Sequence, residues 1–131
     1  MLKIFIDGGA VGNPGPAGAG MVIYDEKGKI IKKISEFLGK ETNNQAEYHG
    51  LIFALIWAKE LQAKQVEIYS DSELLVKQIK GEYKIKNKNI KPLFVVAKFL
   101  LQFFEKVLFF NIHREKNKEA DKLVKMAISL C

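Results

Sequence analysis

The sequence predicts an α/β domain built around a mixed β-sheet, and three observations support this fold class. Three apolar segments come first and are separated by glycine-rich or turn-forming stretches, as consecutive strands are. Strand-like and helix-like patterns then alternate to the end of the chain. The 131 residues are 48% hydrophobic and 27% charged, which fits one domain, 1–131, with a substantial core.

The first half of the chain is predicted to hold three strands and one long helix. The first strand ends at Asp7, and the following segment, 8–20, is so rich in glycine and proline that we predict a loop there. Asp25-Glu26-Lys27-Gly28 predicts a hairpin turn between the next two strands. The predicted strands span 2–7, 20–24 and 29–37, and the predicted helix spans 44–61.

In the second half, apolar runs predict strands and helical spacing of apolar residues predicts helices. The predicted strands span 65–70 and 107–112, the helices span 72–80, 92–104 and 118–130, and an irregular lysine-rich connection spans 81–91. The segment 93–104 is apolar almost all round and includes Phe94, Phe99, Phe103 and Phe104. Such a helix is buried or meets a partner. We favour a core helix against the sheet of a monomer, with a homodimer or partner surface as the alternative.

Charge and cysteine content narrow the function classes. The formal net charge is +6 and the sequence pI is about 9.3, which suits a polyanion such as nucleic acid, although a solvated lysine-rich surface gives the same balance. The single cysteine, Cys131, excludes an intramolecular disulfide and a cysteine-based zinc site. No apolar run reaches the ~18 residues of a membrane span, and the first run is too short for a secretory signal. We therefore expect a cytoplasmic protein.

Four acidic residues occupy comparable places in the predicted elements. Asp7 and Asp71 end predicted strands, whereas Glu47 and Asp121 lie near the starts of predicted helices. Carboxylates in such places can converge on one edge of a sheet, and a cluster of them needs a compensating charge. A hard divalent cation with oxygen ligands supplies this charge, and Mg²⁺ is the usual ion beside phosphates.

Each of these acids also has an ordinary structural interpretation. Asp7 can belong to an Asp-Gly turn, and Asp71 can cap the helix that follows it. Glu47 and Asp121 can complement the dipole at the start of a helix. However, Glu47 lies one turn before Leu51 on the apolar stripe of its helix, where an unpaired charge is costly. Four such positions in one chain favour a functional site.

The contexts of the four acids resemble the four motifs of type 1 ribonuclease H. The order and spacing of the motifs match the family, and the resemblance covers nearly the whole chain. The matching segments are 7–20 (DGGAVGNPGPAGAG), 42–48 (TNNQAEY), 70–81 (SDSELLVKQIKG) and 114–121 (REKNKEAD).

The resemblance implies a ribonuclease H-like fold, a five-stranded mixed sheet in the order 3-2-1-4-5 flanked by helices. It also implies endonucleolytic hydrolysis of the RNA strand of RNA–DNA hybrids, leaving 3′-hydroxyl and 5′-phosphate ends. Two Mg²⁺ ions about 4 Å apart then flank the scissile phosphate, with Mn²⁺ as a substitute. By this resemblance Asp7 bridges both ions. Glu47 and Asp71 complete one site, and Asp121 completes the other.

The resemblance further implies contacts with the hybrid. Glu47 accepts a hydrogen bond from a 2′-hydroxyl, the group that distinguishes RNA from DNA, and glycines allow close backbone approach. The matching substrate-binding positions are Gly8, Gly9, Asn13, Thr42, Asn44, Gln45 and Arg114. For Asn13 the alternative is a plain Asn-Pro-Gly turn, and for Thr42 it is helix capping.

Two departures from the family pattern resemble a compact subgroup, for which we expect no separate hybrid-binding domain. The connection 80–91 is shorter than the basic insertion of many members and has no tryptophan, although its lysines can replace part of the charge. His113 does not align with the family's mobile histidine, so we expect Arg114 to face phosphate. We expect His49 to be a surface or structural residue. The alternatives in function are a non-catalytic nucleic-acid-binding module on this fold and a related nuclease that cleaves double-stranded RNA.

Overall fold

The computed structural model describes residues 1–130 and confirms the α/β class; Cys131 lies outside the described residues. Within them, five strands form one mixed sheet in the order β3-β2-β1-β4-β5, as the resemblance implied. The strands are β1 (Leu2–Ala10), β2 (Gly15–Tyr24), β3 (Ile30–Glu41), β4 (Gln65–Ser70) and β5 (Lys106–Asn111). The helices are α1 (Asn43–Glu60), α2 (Glu73–Ile79), α3 (Lys91–Leu101) and α4 (Lys118–Ser129), with a 3₁₀ turn at Arg114–Lys116.

The sheet combines an antiparallel and a parallel half. β1 pairs antiparallel with β2 and parallel with β4, and the outer strands β3 and β5 continue each half. α1 covers one face, where Ile4 and Ile6 join Leu51 and Leu55 in the core. α4 packs on the opposite face, against β1, β2 and β3. The described helices include none that is long and apolar enough to cross a membrane.

The prediction of a loop at 8–20 was wrong. β1 and β2 continue into this segment and pair with each other, so that the connection shrinks to the residues between Ala10 and Gly15. Gly20 serves close packing rather than turning, because a Cβ atom there would lie 2.4 Å from the carbonyl oxygen of Ala120 in α4. Gly12, at φ 83°, does turn the chain in the short connection. β3 also runs past the predicted end at 37, because a bulge with Gly39 at φ 76° continues the strand.

The phenylalanine-rich helix contributes to the core, as predicted, through Ala97 and the residues around it. α3 packs chiefly against α1. Within α3, Ala97 is the one fully buried residue, while Phe94 and Leu100 are partly buried against the core. Val95 and Phe99 are each 57% exposed. The apolar character of this helix therefore exceeds what its packing requires.

Candidate active site

Two of the four acids are brought together by neighbouring parallel strands. Ile6 of β1 pairs with Ser70 of β4, so that the next residue on each strand is a carboxylate, Asp7 or Asp71. Asp7 is buried within β1, and Asp71 follows the last residue of β4 and precedes α2. Parallel strands end at the same edge of a sheet, and this register therefore sets both acids side by side.

α1 brings Glu47 to the same edge. Thr42 caps the helix: its hydroxyl accepts from the backbone N–H of Gln45 at 3.1 Å, and the Gln45 side chain accepts from the N–H of Thr42 at 2.8 Å. Asn13 Oδ1 accepts from the N–H of Asn43 at 3.0 Å, and Asn43 Oδ1 accepts from the N–H of Ala10 at 2.8 Å. The start of α1 is thus tied to the β1–β2 connection.

Three of the four predicted acids form a tight group. Oxygen atoms of Asp7, Glu47 and Asp71 lie within 4.8 Å of one another. Asp121, in the first turn of α4, lies outside this group but lines the same cleft of about 420 Å³. Its Oδ2 is 3.0 Å from Lys125 Nζ, one turn along the helix. The arrangement has three clustered carboxylates and a fourth that lines the same cleft and is paired with the Lys125 ammonium group.

Burial and mutual repulsion hold protons on this group. Burial, followed by the charge of Asp71, raises the pKa of Asp7 to about 7, although the Gly8 amide opposes the shift. Burial and then the charge of Asp7 raise the pKa of Glu47 well above its ordinary value. The pKa of Asp71 is raised by burial, against the hydrogen bond from Asn117 and the charge of Arg114. Near neutral pH the group therefore favours either protons or an added cation.

The donor set fits a hard divalent cation. The ligands are carboxylate oxygens, which are those that Mg²⁺ and Mn²⁺ prefer. Oε2 of Glu47 is buried and has no hydrogen-bond partner among residues 1–130, and a buried unpaired acceptor is costly unless something binds it. This orphaned oxygen fits a site that receives a cation.

The other predicted contact residues divide into two sets. Gly8, Gly9 and Arg114 line the cleft. The remaining four lie around the start of α1, outside the lining residues; they are Asn13, Thr42, Asn44 and Gln45. The structural interpretation is confirmed for Thr42, which caps α1. Asn13 accepts a hydrogen bond from the Asn43 amide, a contact that the turn interpretation did not include. Contacts of all seven with substrate stay predictions.

Sequence reasoning missed three polar residues at the site. Asn43 and Lys125 line the cleft, and the spacing of Lys125 four residues after Asp121 was a usable signal for an ion pair. Asn117 is buried beside Asp71, but its contacts join residues far apart in the chain and leave no local signature.

The departures from the family pattern have clear structural counterparts. The lysines of the 80–91 connection are all exposed, and the connection is irregular apart from turns. His113 is exposed and lies outside the residues that line the cleft, whereas Arg114 lines it. His49 Nε2 is 2.9 Å from Glu41 Oε1, so this residue ties α1 to the end of β3.

The fold and the carboxylate group are those of a ribonuclease H-like domain, and comparisons with known proteins refine this class. The model of the Reverse transcriptase-like family matches residues 5–127. A protein of Mycobacterium tuberculosis described as bifunctional is 37% identical over 97% of this chain. The chain spans 36% of that relative and 64% of the Ribonuclease HI of Halobacterium salinarum, to which it is 35% identical.

Solved structures of related proteins share this fold over nearly the whole chain. RNase H1 from Halobacterium salinarum superposes with a TM-score of 0.96 at 33% identity, covering 99% of this chain and 98% of the other. LC11-RNase H1, isolated from compost by a metagenomic approach and solved in complex with an RNA/DNA hybrid, gives 0.94 at 41% identity, covering 99% and 98%. The chain belongs to the type 1 ribonuclease H family.

Proposed function

We propose that this chain is a single-domain, monomeric and cytoplasmic endonuclease that hydrolyses the RNA strand of RNA–DNA hybrids, leaving 3′-hydroxyl and 5′-phosphate ends. The observation that carries the proposal is the group formed by Asp7, Glu47 and Asp71, whose oxygens lie within 4.8 Å of one another in an open cleft. The relative named Ribonuclease HI and the RNase H1 solved with a bound hybrid support the substrate class.

The proposed cofactor is Mg²⁺, two ions per site, with Mn²⁺ as a substitute. Asp7, Glu47 and Asp71 would hold one ion, and Asp7 with Asp121 would hold the other. A bound ion of this kind lowers the pKa of a water molecule and neutralises charge on a phosphate. The protein supplies closely spaced carboxylates. Burial and mutual repulsion make their negative charges unfavourable unless a cation compensates them.

The surroundings of the cleft suit a nucleic-acid backbone. Arg114 is exposed at the cleft, where its guanidinium would donate to a phosphate. The Thr42 hydroxyl accepts from Gln45 and retains its own hydrogen to donate to a phosphate of the DNA strand. Asn13, Asn44 and Gln45 would contact the minor groove, and the peptides of Gly8 and Gly9 would approach the RNA strand.

The test is cleavage of an end-labelled RNA–DNA hybrid in Mg²⁺, beside the same RNA single-stranded and in an RNA–RNA duplex. The active chain is expected to cut the RNA strand of the hybrid alone. Asp71→Asn should abolish cutting, whereas the matched control Glu73→Gln, an exposed acid two residues away, should keep it.

Three outcomes would count against the proposal. Hybrid binding without cutting in Mg²⁺ or Mn²⁺ would leave a non-catalytic binding module. Equal cutting of the RNA–RNA duplex would overturn the substrate class. Activity retained in Asp71→Asn would remove the carboxylate group as the site of chemistry.

A further inference from the structure

We propose that Asn117 is a positioning residue that sets the geometry of the carboxylate group; this inference rests on the proposed function. The residue lies directly before α4 and is 1% exposed. Its Nδ2 donates to the carbonyl oxygen of Ile6 at 2.8 Å and to Asp71 Oδ2 at 3.4 Å. One amide group therefore joins the residue before Asp7 to the carboxylate of Asp71.

The backbone of Asn117 extends the same connection. Its N–H donates to the carbonyl oxygen of Arg114 at 2.9 Å, and its carbonyl oxygen accepts from the N–H of Asp121 at 3.1 Å. Asn117 thus contacts Asp71 and Asp121 themselves, the residue that precedes Asp7, and the cleft arginine. These contacts join β1, the segment after β4, the 3₁₀ turn and α4.

The orientation of the side chain argues for a role at the site. An asparagine at the start of a helix ordinarily caps it by accepting from the first free amides, yet Asn117 makes no side-chain capping bond. Its Oδ1 is buried and has no hydrogen-bond partner within residues 1–130. The hydrogen bonds of the side chain are therefore the two that it donates. It points toward the sheet and does not cap α4.

The chemistry of the two acceptors requires an amide. Asn117 Nδ2 has two hydrogens, and a carbonyl oxygen and a carboxylate oxygen receive them. An aspartate here would be nearly isosteric, but when ionised it would offer only acceptors and would repel Asp71. Hydrogen bonds to ligating carboxylates orient them, and losing such a partner typically costs roughly 10- to 100-fold in metal affinity or activity.

The experiment compares Asn117→Ala and Asn117→Asp with a matched control, Ser35→Ala, in the 131-residue chain. Ser35 Oγ donates to the carbonyl oxygen of Leu123 at 2.6 Å, so it attaches the same helix to β3 through a hydrogen bond that involves none of the four acids. The readouts are Mn²⁺ affinity by calorimetry without substrate, kcat and KM on a hybrid, and the melting temperature.

Both Asn117 variants are expected to bind Mn²⁺ roughly 10- to 100-fold more weakly and to lose a similar factor in kcat, with KM for the hybrid nearly unchanged. Ser35→Ala should lower the melting temperature and keep the Mn²⁺ affinity. Unchanged affinity in Asn117→Ala, or an equal loss in Ser35→Ala, would overturn the proposal. Should the variants not fold, an NMR titration of the wild-type protein with Mg²⁺, in the absence of Mn²⁺, provides the test. The side-chain NH₂ resonances of Asn117 should shift as Mg²⁺ binds. Resonances that stay constant would overturn the proposal.

The two proposals fail in different ways. If the wild-type chain binds Mn²⁺ and leaves every hybrid intact, the proposed function is wrong, while the effect of Asn117 on Mn²⁺ affinity still reports on its positioning role. If the wild-type chain cleaves hybrid and Asn117→Ala matches it in Mn²⁺ affinity, the positioning role alone is wrong.

Discussion

A Cβ atom added at Gly8 would lie 2.4 Å from the backbone nitrogen of Glu47 and 2.3 Å from the carbonyl carbon of Ala46. β1 and α1 are therefore in backbone contact at the point where each supplies a carboxylate. Burial raises the pKa of both Asp7 and Glu47, and hydrogen bonds from the Gly8 backbone to the two carboxylates oppose this rise. The absence of a side chain at Gly8 sets the separation of two acids.

Gly8→Ala is expected to lower both stability and metal binding. The added methyl group would overlap backbone atoms that cannot rotate away, so the free energy of unfolding should fall by about 3 kcal/mol or more and Tm by roughly 10 °C. Gly9→Ala is the stability control, because its Cβ would lie 3.6 Å from the nearest atom, in ordinary contact with Val124. Urea unfolding of both variants measures the difference in the free energy of unfolding. An equal decrease in Gly8→Ala and Gly9→Ala would contradict the prediction that the close contact at Gly8 matters for stability.

The stability of the metal-free protein should fall as pH rises from about 4 to 7. The pKa of Asp7 is raised from 3.8 to about 7 in the folded chain, so the native state binds more protons than the unfolded state across this window, and stability decreases with pH. A shift of this size corresponds to about 4 kcal/mol, and the raised pKa of Glu47 acts in the same direction.

Thermal melts in a chelator at pH 5 and pH 8 measure this effect. Asp7→Asn removes the titrating group, so the variant should be more stable than the wild type at pH 8, with a smaller difference at pH 5. Identical pH profiles for the two proteins would contradict the assigned cause. Saturating Mg²⁺ should restore wild-type stability at pH 8, since a ligand that binds the folded state stabilises it.

Metal affinity should rise with pH through the same region. Protons compete with the cation for Asp7 and Glu47, whose pKa values are raised, and ligands must be deprotonated to bind. We expect Mn²⁺ to bind more tightly at pH 8 than at pH 6, with release of protons on binding. Calorimetry in two buffers of different ionisation enthalpy counts these protons. No proton release at pH 6 would contradict the prediction.

The sequence predicted the class of fold and the four acids because these depend on local patterns. Alternation of apolar residues marks strands, and the register of Ile6 with Ser70 follows from two neighbouring parallel strands. The glycine segment was misassigned because its glycines accommodate helices that are distant in sequence, such as α4 at Gly20. A turn and a close approach use the same residue type, and only the tertiary structure separates them.

The site was predicted in part for a similar reason. Asp7, Glu47 and Asp71 come together as expected, whereas Asp121 lines the same cleft outside this group and is paired with Lys125. Asn117 could not be predicted, because its contacts with Ile6 and Asp71 span 111 and 46 residues. Long-range hydrogen bonds of a single buried amide leave no periodic pattern.

The apolar surface of α3 yields a matched pair of substitutions. Phe94 is partly buried against the core, whereas Phe99 is 57% exposed and contacts Phe103 edge to face. Phe94→Ala is therefore expected to reduce the free energy of unfolding by about 2–3 kcal/mol, and Phe99→Ala by about 1 kcal/mol or less. Urea unfolding measures both changes.

Sedimentation of the wild type and of Phe99→Ala over the same concentration range tests whether the exposed face of α3 associates with a second copy. A monomer in both cases fits a solvent-facing helix, whereas a wild-type dimer that Phe99→Ala dissociates would make this face an interface between two copies.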